Sequence, residues 1–185
     1  MAMNLLHRRR CSSAGWAELV RDQMLPWTLN DMELGERTLE IGPGYGATLR
    51  ALVDRAAAVT AVEVDEAMAE RLQRLYGDRA RIIHGDGTDT GLPDNSFTSV
   101  VCFTMLHHVP TDRLQDQLFA EAFRVLTPGG MFAGTDCVAE FGESACVAGI
   151  GVQDVADGDE HRSGPGGHVQ RLLRRGTQLV EQHRA

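Results

Sequence analysis

Glu40-Ile41-Gly42-Pro43-Gly44-Tyr45-Gly46 joins the short apolar run Thr38-Leu39-Glu40-Ile41 to a helical pattern from Ala47 to Arg55. A strand that enters a helix through such a turn must bend sharply while keeping its backbone open to a ligand. Glycine permits both, because it tolerates unusual φ angles and carries no Cβ to block approach. With Ala47 last, the segment also satisfies the dinucleotide fingerprint G-x-G-x-x-G/A. Alone it does not distinguish one nucleoside cofactor from another. Glu63 ends the next apolar run, Ala61-Val62-Glu63-Val64, 21 residues after Gly42. At that spacing a carboxylate at a strand end can accept hydrogen bonds from both ribose hydroxyls.

Outward from this pair the chain keeps alternating. Strands are expected at Val59–Val64, Arg81–His84, Phe97–Phe103 and Met131–Thr135. Helices are expected at Glu66–Leu75 and Asp112–Leu126. The last helix has the stripe Leu114, Leu118, Ala122 and Val125, and Thr111 or Asp112 can cap it. Upstream, Trp16, Leu19, Val20 and Met24 fall at helical spacing until Pro26, which ends the helix or starts a new turn. Repeated strand–helix alternation predicts an α/β fold: a Rossmann-like, doubly wound, mostly parallel sheet with helices on both faces. The expected organisation is an N-terminal helical cover (1–33), a Rossmann-like core (34–139) and an atypical C-terminal tail (140–185).

Composition narrows the function. The 185-residue chain suits one domain, and its net charge of -8 argues against a general nucleic-acid binder. The run Arg8-Arg9-Arg10 reads as a solvated end. No apolar run is long enough to span a bilayer and no signal peptide is evident. The four cysteines lack metal-ligand spacing; Cys102 and Cys137 read as small core residues. A reduced, cytoplasmic protein is the simplest expectation. All 18 cationic side chains are arginines. The absence of lysine excludes phosphate-loop nucleotidases, Schiff-base enzymes and dehydrogenases built on a tyrosine–lysine pair.

Three further motifs complete an ordered set. Gly85-Asp86-Gly87 follows the third strand, Leu92-Pro93-Asp94-Asn95-Ser96-Phe97 leads into the fourth, and Leu126-Thr127-Pro128-Gly129-Gly130 precedes the fifth. With Glu40–Gly46 and Val62-Glu63-Val64-Asp65 they resemble class I S-adenosylmethionine (SAM)-dependent methyltransferases, in the small-molecule group that includes ubiquinone/menaquinone-biosynthesis-like enzymes. The resemblance covers about Leu34 to Asp136. It implies SAM as cofactor and S-adenosylhomocysteine as product. Glu40, Gly42, Gly44 and Gly46 would line the methionine and ribose side. Glu63 would hold the ribose hydroxyls, with Val64 against the adenine. Asp86 would bond the adenine amino group beside Gly87, and Phe103 and Thr104 would border the methionine portion. Thr98 and Thr127 depart from the family's usual aspartate and basic residue, both away from the chemistry.

Methyl transfer from a sulfonium needs alignment and a dry site more than a strong acid. Should the acceptor arrive protonated, His107 or His108 in Met105-Leu106-His107-His108-Val109-Pro110 can act as base, since imidazole titrates near neutral pH. The same residues can instead pack the loop. Asp136 is a weaker candidate. Trp16 and Trp27 either line the cover or anchor a helix on the sheet.

The patterning falls away near Glu140. Similar enzymes end with a helix and two further strands, which are not convincing here, although Val147–Val155 has the character of one short strand. The fifth strand is therefore expected to expose an edge. Asp154–Gly167 is almost devoid of apolar residues, and a last helix is expected over Val169–His183. A divergent lid and a tail read out of its ancestral frame both account for this. The functional expectation is methyl transfer to a small-molecule acceptor by a monomer or homodimer, without nucleic acid, membrane or metal. Alternatives are a non-catalytic SAM- or partner-binding protein and a nicotinamide-dependent oxidoreductase.

Overall fold

The computed structural model describes residue 9 and residues 11–29, 32–137 and 146–152. The stretch Asp154–Gly167 and the helix expected over Val169–His183 lie outside the described residues, as do the side chains of Cys137 and Cys146.

Six strands form one sheet: β1 (Arg37–Ile41), β2 (Ala58–Glu63), β3 (Ala80–His84), β4 (Phe97–Phe103), β5 (Leu126–Cys137) and β6 (Cys146–Val152). Their order is β3-β2-β1-β4-β5-β6. The first five are parallel, and β6 runs antiparallel to β5. The helices are α1 (Ala14–Leu19), α2 (Leu25–Leu29), α3 (Ala47–Leu52), α4 (Glu66–Tyr76) and α5 (Asp112–Val125). Alternation along the strands feeds two cores. Val59, Ala61, Val101, Phe103 and Ala133 meet Leu25, Leu29, Leu49 and Leu72 on one face. Val62, Val100, Cys102 and Phe132 meet Leu118, Phe119, Ala122 and Val125 on the other. The sheet is doubly wound, as expected, and the direction in which strands are added reverses between β1 and β4. Ligands in such sheets bind beyond the strand ends at that point.

Local chemistry explains the element boundaries. Ser13 accepts the Trp16 N–H at the start of α1, Asp65 accepts the Met68 N–H at α4, and Thr111, of the two candidates, accepts the Leu114 N–H at α5. Pro26 does not end the N-terminal helix. A π turn, Val20–Met24, precedes it, with the Leu25 N–H bonded to the Val20 carbonyl. A wider turn relieves the clash that a proline ring makes with the carbonyl four residues back.

Two expectations are corrected. The fifth strand begins at Leu126, not Met131: Leu126 pairs with Phe97, pairing resumes at Ser99–Met131, and Thr127–Gly130 bulge between. The edge of β5 is not exposed, because β6 covers it from Phe132–Val152 to Cys137–Cys146 and carries the sheet into the stretch 140–185. No described helix is long and apolar enough to cross a membrane.

One polar network fastens the far end of α5. Glu121 accepts from the Thr90 N–H and hydroxyl (2.8 and 2.5 Å) and from the Arg124 guanidinium (2.7 Å at both oxygens), while Arg124 also pairs with Asp94 and the Leu92 carbonyl. The Arg124 guanidinium and then the Thr90 donors hold the Glu121 carboxyl down to about 2. This stabilisation is present above the ordinary carboxyl range and is lost as pH falls from about 4.5 towards 2. Arg124 is one-third exposed, so solvent screens part of it. Glu121→Gln is expected to cost about 2 kcal/mol at pH 7 and little at pH 2.5, read by urea unfolding at both pH values. An equal cost at the two values would show that the carboxylate charge contributes nothing.

Candidate cofactor and acceptor site

A cavity of about 420 Å3 opens at the carboxyl ends of β1, β2, β3 and β4. Its floor is the turn after β1. Gly42 has φ +71°, and a Cβ there would come within 2.9 Å of the Met105 side chain. Gly46, φ +83°, precedes α3; a Cβ would meet Leu72 of α4 at 2.8 Å. One glycine thus admits the β4 loop and the other admits α4.

Glu63 fastens this turn. It is 6% exposed, and its two oxygens accept the N–H groups of Gly44 (2.9 Å) and Asp65 (3.0 Å). Arg71 of α4 donates to the Tyr45 carbonyl at 3.0 Å, with its guanidinium 5.7 Å from the Tyr45 ring centroid. Asp86 accepts both the N–H and the hydroxyl of Thr88 at 2.8 Å, which closes a tight turn after β3. Val64, two-thirds exposed, stands bare at the rim. At the end of β4, Thr104 has φ +48° while its N–H bonds the Thr135 carbonyl at 2.6 Å. A β-branched residue in the left-handed region stores strain, which concentrates at functional sites.

Gly42, Gly44, Glu63, Val64, Asp86, Gly87, Phe103, Thr104 and His108 all line the cavity. Glu40, Gly46 and His107 are not among its lining residues. Glu40 lies beneath the turn, 1% exposed. One of its oxygens accepts the Thr48 hydroxyl, and no described hydrogen-bond partner reaches Oε2. Burial pushes its carboxyl up to about 8; the Thr48 hydrogen bond opposes the rise and the nearby Glu63 charge adds to it.

His107 belongs to a clamp. Asp136 Oδ2 accepts the His107 N–H at 2.9 Å, and Asp136 Oδ1 lies 2.6 Å from His107 Nδ1. Gln115 Nε2 donates to the carbonyls of Leu106 and Val109, both at 3.2 Å, and so holds the short 3-10 turn Leu106–His108 from its other side. His108 stacks obliquely on His107 with ring centroids 4.0 Å apart.

Of the two tryptophans, Trp16 lines the cavity and packs on the core. Trp27 is half exposed and does neither. Val20 and Thr48 were not candidates from sequence, although both line the cavity. Thr48 answers Glu40 across the turn, and no spacing rule links them. Thr88 was legible in principle, since Asp-x-Thr is a common turn pattern.

Donor chemistry tests the cofactor. Glu63, Asp65 and Asp86 line the cavity, whereas no arginine is among the described lining residues. That set suits a nucleoside bearing hydroxyls and a cationic tail. It offers no side-chain countercharge to a pyrophosphate.

Comparison with known proteins agrees. The family model described as "Methyltransferase domain" matches residues 39–134. A Mycolicibacterium smegmatis protein named "Probable S-adenosylmethionine-dependent methyltransferase" is 40% identical over 91 residues, covering 49% of this chain and 33% of that one. The demethylmenaquinone methyltransferase of Clavibacter sepedonicus is 38% identical over 98 residues, covering 52% and 39%. This chain therefore spans between one-third and two-fifths of the length of these two relatives. Other matched names include ribosomal RNA and sterol methyltransferases. The crystal structure of a Pyrococcus horikoshii OT3 protein shares the fold, with TM-score 0.65, 21% identity and coverage of 73% and 66%. Matched over more than half of its length, the chain belongs to the methyltransferase-domain family, whose cofactor is S-adenosylmethionine.

Proposed function

We propose that this protein transfers a methyl group from S-adenosylmethionine to a small-molecule acceptor. The observation that carries this reading is the cavity over the glycine turn, lined by three carboxylates and, among the described residues, by no arginine. When bound, the cofactor supplies an electrophilic methyl group on a cationic sulfur. In this reading Glu63 receives the ribose hydroxyls on lone pairs left over from its two backbone bonds. Asp86 receives the adenine amino group and Val64 covers the adenine face. Gly42 and Gly44 admit the chain of the cofactor, and Phe103 and Thr104 border its methionine end. Glu40 and Gly46 support the turn from behind. His108 is the imidazole that faces the cavity, whereas His107 orients the turn.

A non-catalytic SAM-binding protein would share this site and turn nothing over. A nicotinamide enzyme would share the turn and Glu63, and competition with NADH separates it from both.

Calorimetric titration is expected to show saturable binding of SAM and S-adenosylhomocysteine and none of NADH. Glu63→Ala is expected to weaken both at least tenfold, about 1.4 kcal/mol. Preference for NADH by the folded protein would overturn the reading.

Glu40 yields a second expectation. Its carboxyl is raised in the folded protein, so the folded state keeps a proton that the unfolded chain releases from about pH 4.5. Stability should therefore fall as pH rises from about 4.5 and level off above about 8, by on the order of 4 kcal/mol at most. Glu40→Gln should flatten this slope and be the more stable protein at pH 8. Urea unfolding from pH 5 to 8.5 decides it; an unchanged slope in the variant would assign the pH dependence to other groups.

A further inference from the structure

Val64 lines the cavity, yet it is two-thirds exposed and packs against neither core. Its side chain therefore has no packing of its own to fix its direction. What holds it must act through the backbone. Val64 is the joint between β2, which ends at Glu63, and α4, which Asp65 caps.

The peptide that joins Val64 to Asp65 is held at both ends. Its N–H, that of Asp65, donates to Glu63 Oε1 at 3.0 Å. Its carbonyl, that of Val64, lies 3.2 Å from His84 Nε2. A carbonyl only accepts, so this bond requires a proton on Nε2. His84 reaches the carbonyl because parallel pairing sets it opposite Glu63 at the ends of β2 and β3. Just beyond, the Gly85 N–H bonds the Glu63 carbonyl at 3.0 Å. A peptide unit is planar, so holding both its ends fixes ψ of Val64 and φ of Asp65 together. Release of the carbonyl would leave one bond as a pivot about which the plane can tilt, and the Val64 side chain would tilt with it.

His84 is exposed and is not among the residues that line the cavity, so it acts on a ligand only through Val64. Water competes for an exposed bond, and its loss should shift an equilibrium several-fold without abolishing binding.

We propose that His84 is a positioning residue for the adenine subsite: by holding the Val64 carbonyl, its imidazole keeps the Val64 side chain against the base. The inference rests on the reading above, in which Val64 covers the adenine face.

Calorimetric titration of the full chain and its variants with S-adenosylhomocysteine tests this. His84→Ala should weaken binding about fivefold. His84→Gln offers an amide Nε2–H at a similar reach and should restore binding to within about twofold, whereas His84→Phe, a ring with no donor, should match the alanine variant. In a Val64→Ala background the His84→Ala change should cost less than about twofold, because most of the side chain that His84 aims is gone. A staple serving the strand ends alone would cost the same factor in both backgrounds. Hydrogen exchange at the Asp65 amide of the unloaded protein gives a second readout. It should quicken about fivefold in His84→Ala and return to its original rate in His84→Gln. Undiminished binding by His84→Ala, no restoration by His84→Gln, equal losses in the two backgrounds or an unmoved Asp65 amide would each overturn the proposal. Absence of S-adenosylhomocysteine binding by the unaltered chain would sink the cofactor reading and the adenine role with it, while Asp65 exchange would still show whether His84 holds the peptide.

Discussion

Two backbone N–H groups, one from Gly44 and one from Asp65, converge on the carboxylate of Glu63. The shape of the glycine turn that floors the cavity depends on that convergence. The glycine turn after β1 has no side chains with which to hold its own shape, and a turn that must stay open to a ligand cannot be packed from above. A buried acceptor at the end of the neighbouring strand supplies the missing constraint from the side. The same carboxylate ties the end of β2 to the first residue beyond it, where Asp65 caps α4. Arg71 of that helix then returns to the turn at the Tyr45 carbonyl. Strand, turn and helix are thus closed into a ring of hydrogen bonds, with the ligand space at its centre.

The cavity divides by charge as well as by origin. Its carboxylates, Glu63, Asp65 and Asp86, stand at the ends of β2 and β3, while Trp16, Val20, Val109 and Pro110 give it apolar lining from other segments. Glu40 sharpens the division. Its carboxyl is buried below the turn with one oxygen lacking a described partner, and burial keeps it protonated through neutral pH. A further full negative charge is thereby withheld from a region that already holds Glu63.

Much of this was legible along the chain because the relevant constraints are local. Strand β1, the glycine turn and Glu63 lie within 30 residues of one another, and each has its own spacing rule. The cap Thr111, one of two candidates, follows from side-chain chemistry at a helix start. What escaped reading depends on chain segments that meet only in the fold. The Thr48–Glu40 bond crosses a turn whose shape is invisible in composition. Trp16 and Trp27 share a residue type, yet one lines the cavity and the other is half exposed, and a π turn that no spacing announced lies between them. The bulge at Thr127–Gly130 misplaced the start of β5, since Pro-Gly-Gly reads as a stop whether a strand resumes before or after it. Strand β6, Cys146–Val152, overlaps the one short strand read over Val147–Val155, its ends blurred by glycines and by the loss of patterning around it.

Asp136 belongs to two structures at once. Its backbone pairs with Ala148 in the antiparallel edge of the sheet, and its side chain grips His107. One part of the cavity lining comes from residues 41 to 88, near neighbours in sequence, and the other from residues 11–20 and 103–118, gathered from distant segments. In the language of contact order, one half closes small loops and the other closes large ones, and large loops close late. Contact order therefore favours early closure of the glycine turn with the ends of β2 and β3, and later closure of the lining that draws on distant segments.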